Sequence, residues 1–100
     1  MLYRNFRPRQ GGEIDLVCRE KETLVFIEVK TRAPGQIGRP ADAIDPGKEE
    51  ALMRGAHAWL RLLGHPDIPV RIDIVEVILG PGRPAITHTR DALAFAPAVY

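Results

Sequence analysis

The sequence predicts an α/β domain built on a mixed β-sheet with one main crossover helix, and three observations carry that expectation. Two β-rich runs, residues 13–18 (EIDLVC) and 24–31 (LVFIEVKT), are joined by the short polar stretch 19–23, the pattern of a hairpin. Leu52, Ala56, Trp59, Leu60 and Leu63 then recur at helical spacing, so one helix face packs on the sheet. A long β-rich run at 70–79 follows, and strand, helix and strand in that order imply a right-handed crossover with parallel pairing.

The remaining elements follow in chain order. Residues 1–6 form a short first strand, with Leu2 and Arg4 on one face and Tyr3 and Asn5 on the other. Residues 7–12 (RPRQGG) make a basic turn. Residues 33–44 are rich in Gly and Pro without periodicity and read as a mobile loop, long enough to suggest a functional role. Asp45 as N-cap and Pro46 at the first helical position start the helix, and Gly64 followed by Pro66 stops it. Lys48, four residues before Leu52, falls at the inner face of the first turn. Residues 80–84 turn the chain, 85–89 add an edge strand, and 90–95 read as a terminal turn or short helix. Both parities of residues 24–29 are apolar, as in a sheet covered on both faces. One helix covers only one face, so the other is bare or is covered by a partner or a missing segment, and a homodimer is a reasonable expectation.

One hundred residues suit a single domain, residues 1–100. The chain is 45% hydrophobic and 27% charged, which excludes the composition of a disordered protein. A net charge of +1 does not by itself point to nucleic acid, so any such contact must come from a local patch. Cys18 is the only cysteine, which excludes an intramolecular disulfide framework. No apolar run reaches the length of a membrane span and no signal-peptide pattern opens the chain, so no membrane partner is expected and the location is cytoplasmic.

Asp15, Glu28 and Lys30 are the chemical anomaly. They stand among Ile, Leu, Val and Phe in strand-like runs, and charged side chains are seldom buried unless paired or bound to metal. Glu28 and Lys30 share a face, roughly 6.7 Å apart along the strand. A four-residue loop at 20–23 pairs Arg19 with Leu24, which sets Asp15 opposite Glu28 and Glu13 opposite Lys30, with Cβ atoms about 5 Å apart. Two adjacent carboxylates repel unless a divalent cation lies between them or one stays protonated. The alternative is a structural ion pair in which Lys30 neutralises one acid.

Other polar residues have plainer readings. Glu13 suits a solvated strand end, with a ligand role as its auxiliary alternative. Lys48 suits equally a helix surface or a phosphate contact. Arg71 and Asp73 share a strand face and can pair to fix the crossover strand. His57, His65 and His88 lack metal-ligand spacing and read as structural or solvated. Arg7, Arg9, Arg32 and Arg39 flank the site from loops or strand ends, either as a solvated rim or as a sequence-tolerant phosphate patch.

GEIDLV at 12–17, LVFIEVKTR at 24–32, Lys48 and RIDIVEV at 71–77 resemble the YraN-like family of small bacterial proteins, over nearly the whole chain. That family's fold is related to the PD-(D/E)xK nucleases and Holliday-junction resolvases, so the resemblance implies a restriction-endonuclease-like sheet. It makes Asp15, Glu28 and Lys30 the motif residues. It also implies that Asp15 and Glu28 hold Mg²⁺ or Mn²⁺, with the Val29 carbonyl as a further ligand, oxygen donors that suit hard cations. The implied function is a nuclease-like protein that binds nucleic acid, with DNA the expected partner, at Lys48, Arg9, Arg32 and Arg39, and hydrolyses phosphodiester bonds if active. An inactive nucleic-acid- or protein-binding module that keeps the fold is the alternative. The family pattern begins with a helix carrying a glutamate ahead of the first strand. This chain is expected to lack both, with Glu13 as a substitute carboxylate.

Overall fold

The computed structural model describes residues 1–33 and 46–95. Five strands, β1 (Tyr3–Phe6), β2 (Ile14–Glu20), β3 (Thr23–Arg32), β4 (Val70–Ile78) and β5 (Ala85–Leu93), and one helix, α1 (Pro46–Leu62), follow one another with α1 between β3 and β4. The strands lie in the sheet in chain order. β3 and β4 are parallel and the other neighbours antiparallel. This is the expected mixed α/β sheet with a single crossover helix among the described residues, consistent with a restriction-endonuclease-like fold. Asp45, Arg39 and nearly all of the 33–44 loop lie outside the described residues.

The hairpin is tighter than expected but keeps the expected register. Glu20 pairs with Thr23, leaving only Lys21 and Glu22 in the turn, while Arg19 still faces Leu24. Lys21 adopts φ 55°, the left-handed conformation a two-residue turn requires. At the N-terminus simple alternation fails. Asn5 has φ 56°, which breaks the pleat, so Tyr3 and Phe6 both meet Trp59, at ring-centroid distances of 5.6 and 5.1 Å.

Leu52, Gly55, Ala56, Ala58 and Leu60 form the buried side of α1. Leu52, Ala56, Ala58 and Leu60, with Phe6, Ile14, Val17, Leu24, Phe26 and Ile72, make the main core. Phe26 is wholly buried, and removing its ring would cost about 3–5 kcal/mol. Leu63, expected on the packing stripe, lies beyond the helix end and is exposed. Gly64 at φ 79° ends the helix, with its N–H bonded to the Arg61 carbonyl and the His65 N–H to the Leu60 carbonyl.

Residues 90–95 were expected to form a turn or helix. Instead β5 runs on to Leu93, which pairs with Ile72 past an irregularity in register, and Asp91 at φ 52° absorbs the bend. Even-numbered β3 residues (Leu24, Phe26) join the helix-side core, so Val25 and Ile27 occupy the far face beside Arg71 and Asp73. The expected Arg71–Asp73 pair is present and bidentate, at 2.8 and 3.0 Å. Asp73 is fully buried and also accepts the Asp91 N–H at 3.0 Å, with His88 Nε2 at 2.7 Å. Burial alone would raise its pKa. The bonds from Arg71, from the Asp91 backbone and from His88 outweigh it and hold the carboxyl below its usual range. Among the described residues no second helix covers this face.

Candidate functional site

The loop that leads into β2 rests directly on α1. Gly12 has φ 94°, and a Cβ there would fall 2.4 Å from the Gly55 nitrogen and 2.9 Å from the Ala51 oxygen. The next N–H, of Glu13, donates to that Ala51 carbonyl at 3.0 Å. Main chain touches main chain, which only glycine at both positions allows. Lys48 lies three residues before Ala51, so this contact brings its side chain to the start of β2.

The result is a cluster of three acids and a lysine. Lys48 Nζ lies 3.3 Å from Glu13 Oε1 and 3.4 Å from Glu28 Oε1. Arg7 Nε approaches the other Glu13 oxygen at 3.5 Å. Glu13 therefore meets Lys48 and Arg7, where a place opposite Lys30 was expected. The ladder between β2 and β3 stops at Leu16 and Ile27, and the next pair in that register is Asp15 with Glu28. There Asp15 Oδ2 accepts the Val29 N–H at 2.8 Å, a donor the ladder no longer satisfies. N–H and C=O of one strand residue point to the same neighbour, so the Val29 carbonyl faces the same gap.

Glu28 is 4% exposed. Burial, and then the Asp15 charge, push its carboxyl above the usual range, against the opposing pull of Lys48. Lys48 is raised in turn, by the charge of Glu28 first and then by its hydrogen bond to Glu13. Burial and the Asp15 charge together thus outweigh what one half-exposed lysine relieves. That donor set, two hard oxygen acids beside a backbone carbonyl, fits a hard divalent cation. Among the described residues, no group of three His, Cys, Asp or Glu side chains is arranged to hold a metal.

Lys30 projects on the same face, one pleat beyond Glu28 and beside Glu76 of β4. It forms no ion pair among the described residues, so Lys48 supplies the neutralising charge that the structural reading assigned to Lys30. Arg32 is turned to Glu76, with Nε 2.7 Å from Oε2, an ion pair without the alignment of a hydrogen bond. Arg9 is exposed in the loop before β2. Arg39 lies outside the described residues. Glu76, 4% exposed, is the residue sequence reasoning missed. Its signal was present: Asp73 and Glu76 are three apart in one strand, so they fall on opposite faces and cannot share one role.

Among the described residues, no helix is long and apolar enough to cross a membrane. The model of the uncharacterised protein family UPF0102 matches residues 1–77. A UPF0102 protein of Geobacter sulfurreducens is 44% identical over 97 residues, which cover 96% of this chain and 75% of that protein. One of Streptomyces coelicolor is 44% identical over 92 residues, 90% of this chain and 71% of that protein. One of Rhodococcus jostii is 43% identical over 90 residues, 89% and 75%. The family match takes in Glu13, Asp15, Glu28, Lys30, Lys48 and Glu76, and with relatives this similar the chain belongs to the YraN-like family, UPF0102.

Proposed function

We propose that this protein binds nucleic acid, with DNA as the expected substrate, and hydrolyses phosphodiester bonds with Mg²⁺ or Mn²⁺ held by Asp15 and Glu28. The observation that carries the reading is the meeting of those two carboxylates at the point where β2 and β3 part, with Glu28 raised first by its burial and then by the Asp15 charge. When bound, the cation would neutralise charge on the reacting phosphate and supply a nucleophilic water at neutral pH. The chain's own residues do the rest. Asp15 is held in place by the Val29 N–H, and Glu28 is kept dry by the core. Lys30, on the same face, stands one pleat away to orient a water or a phosphate oxygen. Lys48 keeps Glu28 and Glu13 from repelling before the site is loaded.

A second reading, a non-catalytic nucleic-acid- or protein-binding module, is favoured by one observation. Lys48 already answers two of the three acids, so the cluster can persist as a purely structural charge network. The deciding assay incubates branched and single-stranded DNA with Mn²⁺ and compares wild type with Asp15→Ala and Lys30→Ala. Cleavage by wild type and its loss in both variants is the expected result. If all three behave alike, the catalytic proposal fails. Calorimetric titration with Mn²⁺ then separates an inactive metal-binding protein from one that takes no metal.

A further inference from the structure

A second group of cations lies outside the carboxylate cluster, along the outer side of α1. Arg54, His57 and Arg61 are spaced by three and four residues, which places them on one helix face. Together with Gln10 and Gly11 they line a hollow of about 230 Å³. Arg61 and Gln10 also line an adjoining hollow of about 350 Å³, with Arg9, Pro8, Phe6, Ala58 and Leu62. The two hollows therefore form one cleft between the loop before β2 and the helix. Neither lining contains a carboxylate.

The cleft is built rather than incidental. Arg54 Nη2 donates to the Gln10 carbonyl at 2.5 Å, which anchors the guanidinium and leaves its other donors available. Gly11 has φ 100°, a conformation that favours glycine, and a Cβ there would fall 2.5 Å from that same nitrogen and displace the guanidinium from the loop. Arg9 and Arg61 are exposed and form no ion pair with a carboxylate among the described residues. Three arginines without acidic partners around one cleft make a local anion site in a chain of nearly neutral net charge.

We propose that this cleft binds the sugar–phosphate backbone of the nucleic acid whose reacting phosphate sits at Asp15 and Glu28. The inference rests on the reading given under Proposed function. The same loop carries both places, since Gln10 and Gly11 line the cleft and Glu13, two residues on, joins the carboxylates. Arg54 and Arg61 are separated along the helix axis by roughly 10 Å, and Lys48 precedes Arg54 by roughly 9 Å, at 1.5 Å per residue. A strand leaving the carboxylates along the helix would meet these cations in turn. Of the rings in the lining, Phe6 is buried and His57 packs edge-on against Phe95, so neither presents an open face to a base, and the contact is to phosphates and independent of base sequence.

The test is fluorescence anisotropy in EDTA, with a labelled 20-nucleotide single strand and a duplex of equal length, over a range of KCl concentrations. Arg54→Gln/Arg61→Gln is expected to weaken binding about tenfold. It should also flatten the dependence of log K on log salt by about 1.4 for a single strand, two phosphate contacts at about 0.7 each. Arg61→Glu alone, which removes no hydrogen bond of the fold, should weaken binding at least as much. Arg83→Gln, in the β4–β5 turn, should change neither quantity. Melting curves by circular dichroism confirm that each variant folds. Wild-type binding with an unaltered salt slope in Arg54→Gln/Arg61→Gln and in Arg61→Glu overturns the cleft and leaves the carboxylate reading standing. Wild type that binds neither oligonucleotide overturns the cleft, and the cleavage assay with Mn²⁺ then decides the carboxylate reading separately.

Discussion

The Nζ of Lys48 lies 3.4 Å from Oε1 of Glu28, so the buried acid of β3 is answered by a cation from the helix and not by Lys30 two residues along its own strand. The partners are unequal. The Glu28 side chain is 5% exposed and that of Lys48 40%, so water screens the lysine while the acid remains dry. A charge held this way is poorly compensated, and its cost belongs to the site and not to the fold.

Replacing Glu28 by Gln should therefore stabilise the protein in EDTA. Its folded pKa is raised, so the native state holds the proton longer than the unfolded chain. Wild-type stability from this group is then full below the ordinary Glu range, near pH 4, and declines as pH rises through the raised value. Thermal melts should show no advantage for Glu28→Gln at pH 4 and a gain of about 2–5 °C at pH 8. A lower melting temperature at pH 8 would show that ionised Glu28 stabilises the fold.

Gly12→Ala should cost about 2–4 kcal/mol in urea unfolding, because it combines left-handed backbone strain with a main-chain clash. Gly64→Ala is the matched control: φ is also positive, at 79°, but a Cβ there meets nothing within 4 Å. That variant should lose only about 1 kcal/mol. Equal losses at the two positions would mean that the loop does not press on the helix.

On the far face, Asp73→Ala should cost about 3–5 kcal/mol at pH 7, since Arg71 would be left without its buried partner. His88→Ala should cost about 1 kcal/mol, because Arg71 and the Asp91 N–H still satisfy the carboxylate. Asp73 has a lowered folded pKa, so its contribution is complete above the ordinary Asp range and fades as pH falls through the lowered value. The wild-type advantage over Asp73→Ala should accordingly shrink below about pH 4. Urea titrations at pH 7 and pH 3 measure it, and a constant difference would contradict the assigned bonds.

Much of this architecture was legible because periodicity and punctuation agreed. The alternating runs, the Pro46 start, the Gly64 stop and the crossover order each had a local cause, and Arg19 facing Leu24 fixed the Asp15–Glu28 register whichever turn closed the hairpin. What failed were positions decided by left-handed residues. Asn5 and Asp91 are not glycines, and nothing local announces that they will bend a strand and send Phe6 inward or carry β5 on to Leu93. Side-chain partners across the fold were equally hidden. Lys48 could be placed on the inner helix face, but its choice of Glu13 and Glu28 depends on how Gly12 meets Gly55. Glu76 escaped notice because its partner, Arg32, was assigned to the rim.

The Gly12–Gly55 contact has a consequence for how this protein can vary. A core filled by Leu, Ile and Phe tolerates exchange of one apolar side chain for another, but each exchange lets a helix drift by some fraction of an ångström. Backbone resting on backbone offers no side chain to exchange. The interior can change its composition while the spacing between ammonium and carboxylates stays as it is, and two residues with no functional group of their own become the gauge of the site.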